Sequence, residues 1–198
     1  MERDGQIYIG INSLKESYVN LNLNMRSSND DWNRAIQIFD DRIKGRFFRV
    51  INDIMDKENY NQDGFAIMAL NCLLIETLMQ FKEGYAETPQ RRNKKEYAKF
   101  LRNEFPEIFR NQKIAGIFYT DIRCGILHSA ETKNGSQLTF NKTYVIKEIG
   151  LNTIKVNVEQ MTNILNEYYL NYIERLRDAN ENRLRISFLE KMDSICKK

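Results

Sequence analysis

The chain contains a single histidine, His128, which follows Arg123 by five positions. Imidazole is the only side chain whose unperturbed pKa lies near neutrality, so proton transfer at pH 7 is expected to use this residue. An arginine guanidinium stays charged and can bind two phosphate oxygens at once. Together the two residue types fit acid–base chemistry beside a phosphate group.

The spacing of Arg123 and His128 argues against a simple pair within one regular helix. At about 100° per residue, the two side chains leave an α-helix about 140° apart. We therefore expect them to meet only at a distorted helix end or across an interface between two chains. The structural alternative is a histidine that only satisfies a helix end.

A cysteine nucleophile is the second chemical interpretation of the same segment. Cys124 and His128 are four residues apart, on one helical face, and Arg123 would lower the pKa of the thiol. Against this, known cysteine enzymes usually take the partners of the thiol from different elements. This interpretation also has no visible acid to orient the imidazole. Beside the Arg123–His128 pair, Tyr119 and Glu131 are candidate supporting residues, as a base-stacking ring and an orienting carboxylate, or else ordinary packing and solvated side chains.

Substrate phosphates need positive charge near such a site, and one cluster is dense enough to supply it. We expect RNA contacts, or a solvated polar face, from Arg91, Arg92, Lys94, Lys95 and Lys133. A second basic cluster is more typical of surface, and consists of Arg42, Lys44, Arg46 and Arg49.

The elements that must position these residues show helical periodicity. The pattern predicts helices at about 30–56, 64–82, 112–129 and 158–178, a short one through Tyr97, Phe100 and Leu101 that stops before Pro106, and a last one carrying Leu184 and Phe188. Gly84 is expected to end the second helix. A turn at 133–136, with strand-like segments at 138–140 and 154–158, predicts a small hairpin at about 137–157. Asn71 and Glu76 interrupt the apolar second helix, so each needs a polar partner, in the core or in a cleft.

Composition limits the class of protein. The 198 residues carry a formal net charge of +3 and 42% hydrophobic residues, which excludes a disordered chain. We expect one domain over 1–198, with core helices at about 30–130 and 158–197. Three widely spaced cysteines fit free thiols in a reducing cytoplasm, and one histidine gives too few ligands for zinc. No signal peptide or membrane span is expected, and the apolar run 65–81 is too short to cross a bilayer.

The Arg-x-x-x-x-His segment, late in an all-α bundle, resembles the signature of the HEPN superfamily, written R-x4-6-H. The resemblance covers about 30–130 and the helix from 158, and its specific part is 123–128. It implies an all-α, up-and-down HEPN-like bundle of about five to six helices with an inserted hairpin. It also implies that Arg123 and His128 are the catalytic pair of a metal-independent RNase. Family members often carry Asn, Asp or His directly after the arginine, whereas this chain has Cys124.

These features predict a homodimeric endoribonuclease of bacterial defence or toxin–antitoxin type, located in the cytoplasm, with RNA as substrate and no cofactor. Two copies would bring two histidines into one cleft and would cover Ile122, Ile126 and Leu127. An antitoxin or other regulatory protein is a further expected partner. The alternative is a catalytically inactive HEPN-like module that binds a nucleotide, RNA or a protein. The sequence leaves magnesium binding by carboxylates open.

Overall fold

The computed structural model describes residues 1–196 and is predominantly helical, with 63% of these residues in helices and two small sheets. This confirms the helical class expected from the periodicity. Residue 197, where we expected the last core helix to end, lies outside the described residues.

All six predicted helices are present, and most of their ends fall within two residues of the expected positions. The α-helices are α1 Lys15–Val19, α2 Asn29–Ile43, α3 Arg49–Met55, α4 Gly64–Glu83, α5 Asn93–Glu104, α6 Gln112–Ile117, α7 Cys124–Ser129, α8 Val158–Arg177 and α9 Asn182–Cys196. The difference lies inside two of them. A π-helical segment, Lys44–Phe48, joins α2 to α3, and another, Phe118–Arg123, joins α6 to α7.

The helix ends follow the side chains that can satisfy free backbone groups. The hydroxyl of Ser28 accepts a hydrogen bond from the Asp31 amide at 3.2 Å and begins α2. Gly84 has a φ of +73° directly after α4, so it ends that helix as expected. A β-carbon at Gly84 would also overlap the carboxylate of Glu190.

The expected hairpin is present, but its strands differ from the prediction. The strands are β1 Glu2–Arg3, β2 Gln6–Ile7, β3 Gln137–Thr139, β4 Ile146–Gly150 and β5 Thr153–Asn157. Antiparallel β4 and β5 form the hairpin, whereas β3 lies parallel to β5 and makes a three-stranded sheet in the order β3-β5-β4. Our pairing of 138–140 with 154–158 as a hairpin was wrong, because the connection between them contains a strand of its own.

The described chain divides into two compact units. The first comprises Met1–Asn52, Gln80–Glu87 and the chain from Tyr169 onward, and the second comprises Asp53–Met79 and Thr88–Tyr168. The assignment of one domain to residues 1–198 stays a prediction.

The first unit has an aromatic core. Phe39 packs against Phe81 with ring centroids 4.5 Å apart and against Phe188 at 5.4 Å. Its N-terminal segment is held to α2 by Asp41, whose carboxylate accepts hydrogen bonds from the amides of Asn12 and Ser13, both at 2.8 Å. This unit contains the second basic cluster, Arg42 to Arg49.

The second unit contains every residue that we expected to do chemistry. Asn71 of α4 exchanges hydrogen bonds with Thr162 of α8, at 2.9 and 3.3 Å, and both are buried. The helical stretch Tyr60–Glu83 has the length and mean hydropathy (1.6) of a membrane-crossing helix, longer than we expected. However, 56% of its most apolar window is buried inside the protein, as in the core helix of a soluble protein.

Candidate functional site

The candidate pair lies on one helical stretch that changes its winding twice. Asn111 begins α6 by accepting a hydrogen bond from the Ile114 amide at 3.0 Å. In the π-helical segment the Cys124 amide bonds to the carbonyl of Tyr119, five residues earlier, instead of four. Regular α7 then continues through His128 to Ser129. Single π turns inside α-helices often accompany functional sites.

Arg123 and His128 meet within one chain. The Nη1 of Arg123 lies 3.4 Å from the Nε2 of His128. We expected the two residues to meet only at a distorted helix end or across an interface, and the contact lies at a distortion of the first kind, where the π-helical segment joins α7. A long arginine at this irregular junction can bend back to its neighbour, although the two side chains would leave a regular helix about 140° apart. His128 is exposed and Arg123 half-buried, so the contact faces solvent through the imidazole.

Glu76 of α4 fixes the other side of the guanidinium. Its Oε2 lies 2.8 Å from the Nη2 of Arg123, with both side chains less than 20% exposed. The hydroxyl of buried Thr88 donates to Oε1 of the same carboxylate at 2.9 Å. The two polar residues of α4 therefore have different roles: Asn71 pairs in the core, and Glu76 belongs to the candidate site.

The surroundings keep Arg123 charged. Burial by itself lowers the pKa of Arg123, but the hydrogen bond and charge of Glu76 outweigh burial, and the pKa is raised above its ordinary value. The guanidinium carbon also lies 5.4 Å from the ring centre of Tyr119. Its Nε is buried and has no hydrogen-bond partner among residues 1–196. The cation is thus held on one side by Glu76, while Nη1 points toward His128.

Cys124 and Tyr119 also lie close to the Arg123 guanidinium. The Cys124 Sγ lies 3.9 Å from the Nη1 of Arg123, and within the described residues it has no hydrogen bond to His128. Burial raises the pKa of Tyr119, Cys124 adds to the rise, and Arg123 opposes it. The thiol is therefore placed beside the cation and not in a thiol–imidazole pair.

Asp121 anchors the chain that follows the helix and was missed in the sequence analysis. Its buried carboxylate accepts hydrogen bonds from Asn134 Nδ2 at 2.8 Å and Ser136 Oγ at 2.9 Å. Its carbonyl accepts the Lys133 amide at 3.0 Å. The signal for it was available, because a carboxylate among the apolar residues of a helix must find donors.

Gly125 allows the same chain to pass close to α7. A β-carbon at this position would overlap the carbonyl oxygen of Glu131 and lie 3.3 Å from the Cγ of Lys133. Glu131 is exposed, and in the described part of the chain its carboxylate has no hydrogen bond to His128. Lys133 is half-exposed beside the helix. This loop therefore contributes its backbone and the side chains of Asn134 and Ser136, and not the Glu131 carboxylate.

The basic cluster lies on the turn Gln90–Arg92 and the first residues of α5, with Arg91, Arg92, Lys94 and Lys95 all exposed. Of these, Lys94 lies over the helix that carries the pair: a β-carbon at Gly116 would be 3.5 Å from its Cε and 4.0 Å from its Nζ. No described contact joins the other three to Arg123 or His128.

Groups of three or more His, Cys, Asp or Glu that could hold a metal ion do not occur within residues 1–196. The geometry described above consists of one exposed imidazole, one fixed guanidinium and a half-buried thiol, at the junction of a π turn and an α-helix. No protein-family model, curated protein or solved structure matches this chain.

Proposed function

We propose that the protein is a metal-independent, HEPN-like endoribonuclease in which Arg123 and His128 act on one phosphodiester. The observation that carries this proposal is the contact of a guanidinium, fixed by Glu76, with an exposed imidazole at 3.4 Å. Most arginines near a surface are free to move. Here Glu76 holds the guanidinium of Arg123 in place, so that its positive charge can stabilise a phosphorane transition state.

The reaction needs a base, an acid and a positive charge. A base removes the proton of the ribose 2′-OH, the 2′-oxygen forms a bond to phosphorus, and the bond from phosphorus to the 5′-oxygen breaks. An acid gives a proton to the leaving 5′-oxygen, and the products are a 2′,3′-cyclic phosphate and a 5′-hydroxyl. His128 suits the proton steps, and Arg123 suits the non-bridging phosphate oxygens.

A homodimer supplies what one chain lacks. With one histidine in the chain, a base and an acid of the same kind require two copies. We place the working dimer in the bacterial cytoplasm, as a nuclease of toxin–antitoxin or antiviral defence systems that an antitoxin or other regulatory protein restrains. The exposed cluster from Arg91 to Lys95, together with Lys133, is proposed to hold the RNA backbone.

Cleavage of a labelled RNA in EDTA tests the proposal. We expect activity to survive chelation and the products to end in a 2′,3′-cyclic phosphate or a 3′-phosphate. Arg123→Ala and His128→Ala should each lower the rate by about 10²- to 10⁴-fold. His128→Ala should leave thermal unfolding nearly unchanged, because its side chain is exposed. Loss of all activity on chelation would exclude this mechanism.

Cys124 requires a separate variant, since a thiol nucleophile is the chemical rival. Cys124→Ser keeps the size of the side chain and removes the thiolate. The proposal expects RNA cleavage within a few-fold of the wild type, and slow alkylation of this half-buried thiol in the native protein. A loss as large as that of His128→Ala, together with fast alkylation at neutral pH, would favour the thiol.

The second candidate is a catalytically inactive HEPN-like module that binds a nucleotide, RNA or a protein partner. Two observations favour it: Glu76 already occupies Nη2 of Arg123, and Cys124 stands where the family often has a polar residue. Its signature is RNA or nucleotide binding without cleavage, in which Arg123→Ala weakens binding and His128→Ala has little effect.

A further inference from the structure

Two lysines lie directly opposite each other on one face of the three-stranded sheet. Lys155 in the central strand β5 pairs with Lys147 of β4 on one side and with Gln137 of β3 on the other. Residues paired in this way project from the same face of a sheet, with β-carbons about 5 Å apart. The neighbouring row, Ile146 and Val156, projects to the other face, where Val156 is fully buried. Gln137, Lys147 and Lys155 thus form one polar row on the outer face.

This row carries positive charge without compensation. Within residues 1–196, neither Lys147 nor Lys155 has an ion pair with a carboxylate. The segment from Lys133 to Asn157 contains four lysines and one acid, Glu148, and Glu148 alternates to the face opposite Lys147. Like charges directly opposite each other destabilise a sheet. An anion bound between the two ammonium groups would reverse the sign of that interaction.

The sheet is tied to the helix that carries Arg123. Ser136 donates its hydroxyl proton to the buried carboxylate of Asp121 at 2.9 Å, and its oxygen accepts the amide of Ile154 at 3.2 Å. Ile154 directly precedes Lys155, and Asp121 lies two residues before Arg123. Two hydrogen bonds through one serine therefore join the lysine row to the candidate site within the second unit.

We propose that the row formed by Lys147, Lys155 and Gln137 is a binding site for the backbone phosphates of single-stranded RNA, outside the cleavage site. The paired ammonium groups would hold one phosphate between them, and the Gln137 amide would donate to the same group or its neighbour. This inference rests on the proposed function for the choice of RNA. The charge arrangement itself requires only an extended polyanion.

Binding of a 2′-O-methyl RNA oligonucleotide of about 12 nucleotides tests the site without cleavage, because this probe has no free 2′-OH to attack the phosphate. The double variant Lys147→Gln/Lys155→Gln should raise Kd roughly tenfold at low salt and, for the one phosphate held between the lysines, reduce the slope of log K against log[salt] by about 0.7. The matched control is Lys44→Gln/Lys57→Gln, which removes the same charge from lysines already paired with Asp40 and Asp63. The control should change Kd by less than twofold. Equal Kd and slope for the double variant and the wild type would overturn the proposal.

A single substitution separates binding from stability. Lys147→Glu places an acid opposite Lys155, so we expect the melting temperature to stay level or rise while oligonucleotide binding weakens. A drop in melting temperature that accounts for the weaker binding would instead assign the lysine a structural role and overturn the site.

The phosphate site and the proposed nuclease activity fail on different results. If the wild type binds the probe through this row but cleaves no RNA, the proposed nuclease fails and the phosphate site stands. If the wild type cleaves a dinucleotide and the double variant binds the probe like the wild type, the phosphate site fails and the proposed nuclease stands.

Discussion

The position of Arg123 depends on a carboxylate from another helix. Glu76 contributes the 2.8 Å contact with Nη2, and Thr88 holds the second oxygen of that carboxylate. Pairs with this degree of burial cost more to break than surface ion pairs, because removal of one partner leaves the other charge partly desolvated and without compensation. Glu76 is therefore a positioning residue for the guanidinium.

Substitution of Glu76 should separate its charge from its size. We expect Glu76→Ala to lower the free energy of unfolding by about 1–3 kcal/mol and to reduce RNA cleavage strongly. Glu76→Gln keeps an oxygen for hydrogen bonding, so stability should fall less, while kcat should still fall because the uncharged amide holds the Arg123 guanidinium less firmly. Chemical denaturation and steady-state kinetics measure the two effects.

Glu174→Gln is the matched control for Glu76. Glu174 pairs with Arg177 three residues away in α8, and both side chains are largely exposed. Surface pairs of this kind contribute well under about 1 kcal/mol. We expect no change in cleavage for this variant. An equal loss of activity in the control would show that Glu76 has no specific role.

At the scale of elements, the helical stretch 112–129 contains two glycines in different surroundings. Gly125 lies under the backbone of Glu131, whereas a β-carbon at Gly116 would meet only the flexible side chain of Lys94. The same substitution should therefore have opposite effects at the two positions.

Gly125→Ala should destabilise the protein by about 1–3 kcal/mol, because the new methyl group forces the returning backbone away from α7. Gly116→Ala should raise stability by up to about 1 kcal/mol, since alanine is the better helix former and the contact there is ordinary. Thermal unfolding of the two variants measures the difference. If Gly125→Ala were also stabilising, the close approach of residues 131–133 would not constrain the fold.

The sequence predicted the helices well because apolar periodicity is a local signal. The end of α4 was also predicted from a local signal, because Gly84 has the backbone freedom that a helix end needs. Both π turns were missed, since a continuous apolar stripe does not reveal one extra residue. The parallel pairing of β3 with β5 was missed because it joins segments 18 residues apart around an intervening strand.

The candidate site could be predicted only in part for the same reason. Residue type and spacing indicated Arg123 and His128 as candidates, and the apolar surroundings of Glu76 indicated that it needs a polar partner. The partner of Glu76 is Arg123 because α4 packs against the π turn. No short sequence pattern indicates this contact, since the two residues are 47 positions apart. Asp121 lies only two residues before Arg123, yet its donors, Asn134 and Ser136, come from the next loop.

At the scale of the whole molecule, the single histidine is the one feature that still supports a shared active site. Arg123 and His128 do not need a second chain in order to meet, because their side chains lie 3.4 Å apart within one chain. Ile122 and Ile126 are buried within the chain itself, so they do not require a second copy to cover them. What remains is the need for both an acid and a base in a chain with one histidine.

Mixing wild-type and variant chains tests whether the cleft is shared. Wild type mixed with an excess of His128→Ala forms heterodimers that hold a single imidazole, so a cleft that takes its acid and its base from two chains should lose RNA cleavage in proportion to heterodimer formation. As a control, wild type mixed with an excess of Glu174→Gln should keep its activity. Full activity in a protein that remains monomeric by mass measurement would rule out the shared cleft.

Acid stability provides a test that does not depend on the function. Burial raises the pKa of Asp41, but the hydrogen bonds from Asn12 and Ser13 outweigh burial and lower it below the ordinary value near 3.8. A depressed folded-state pKa stabilises the fold above the ordinary value, and this contribution is lost as pH falls through the lower pKa. Asp41→Asn should therefore reduce stability at pH 7 and flatten its loss below about pH 4, as followed by thermal unfolding. An unchanged acid profile would contradict this role.

The π turn between α6 and α7 can also be viewed as an insertion of one residue into an α-helix. One π turn takes about one residue more than one α turn, so the helix accommodates the inserted residue and α7 keeps nearly the direction that a regular helix would give it. The same insertion in regular α-helical winding would rotate everything after it by about 100°. Arg123 would then turn away from Glu76, with no side chain in the site altered. The local winding of this helix therefore decides whether the guanidinium and its carboxylate meet at all.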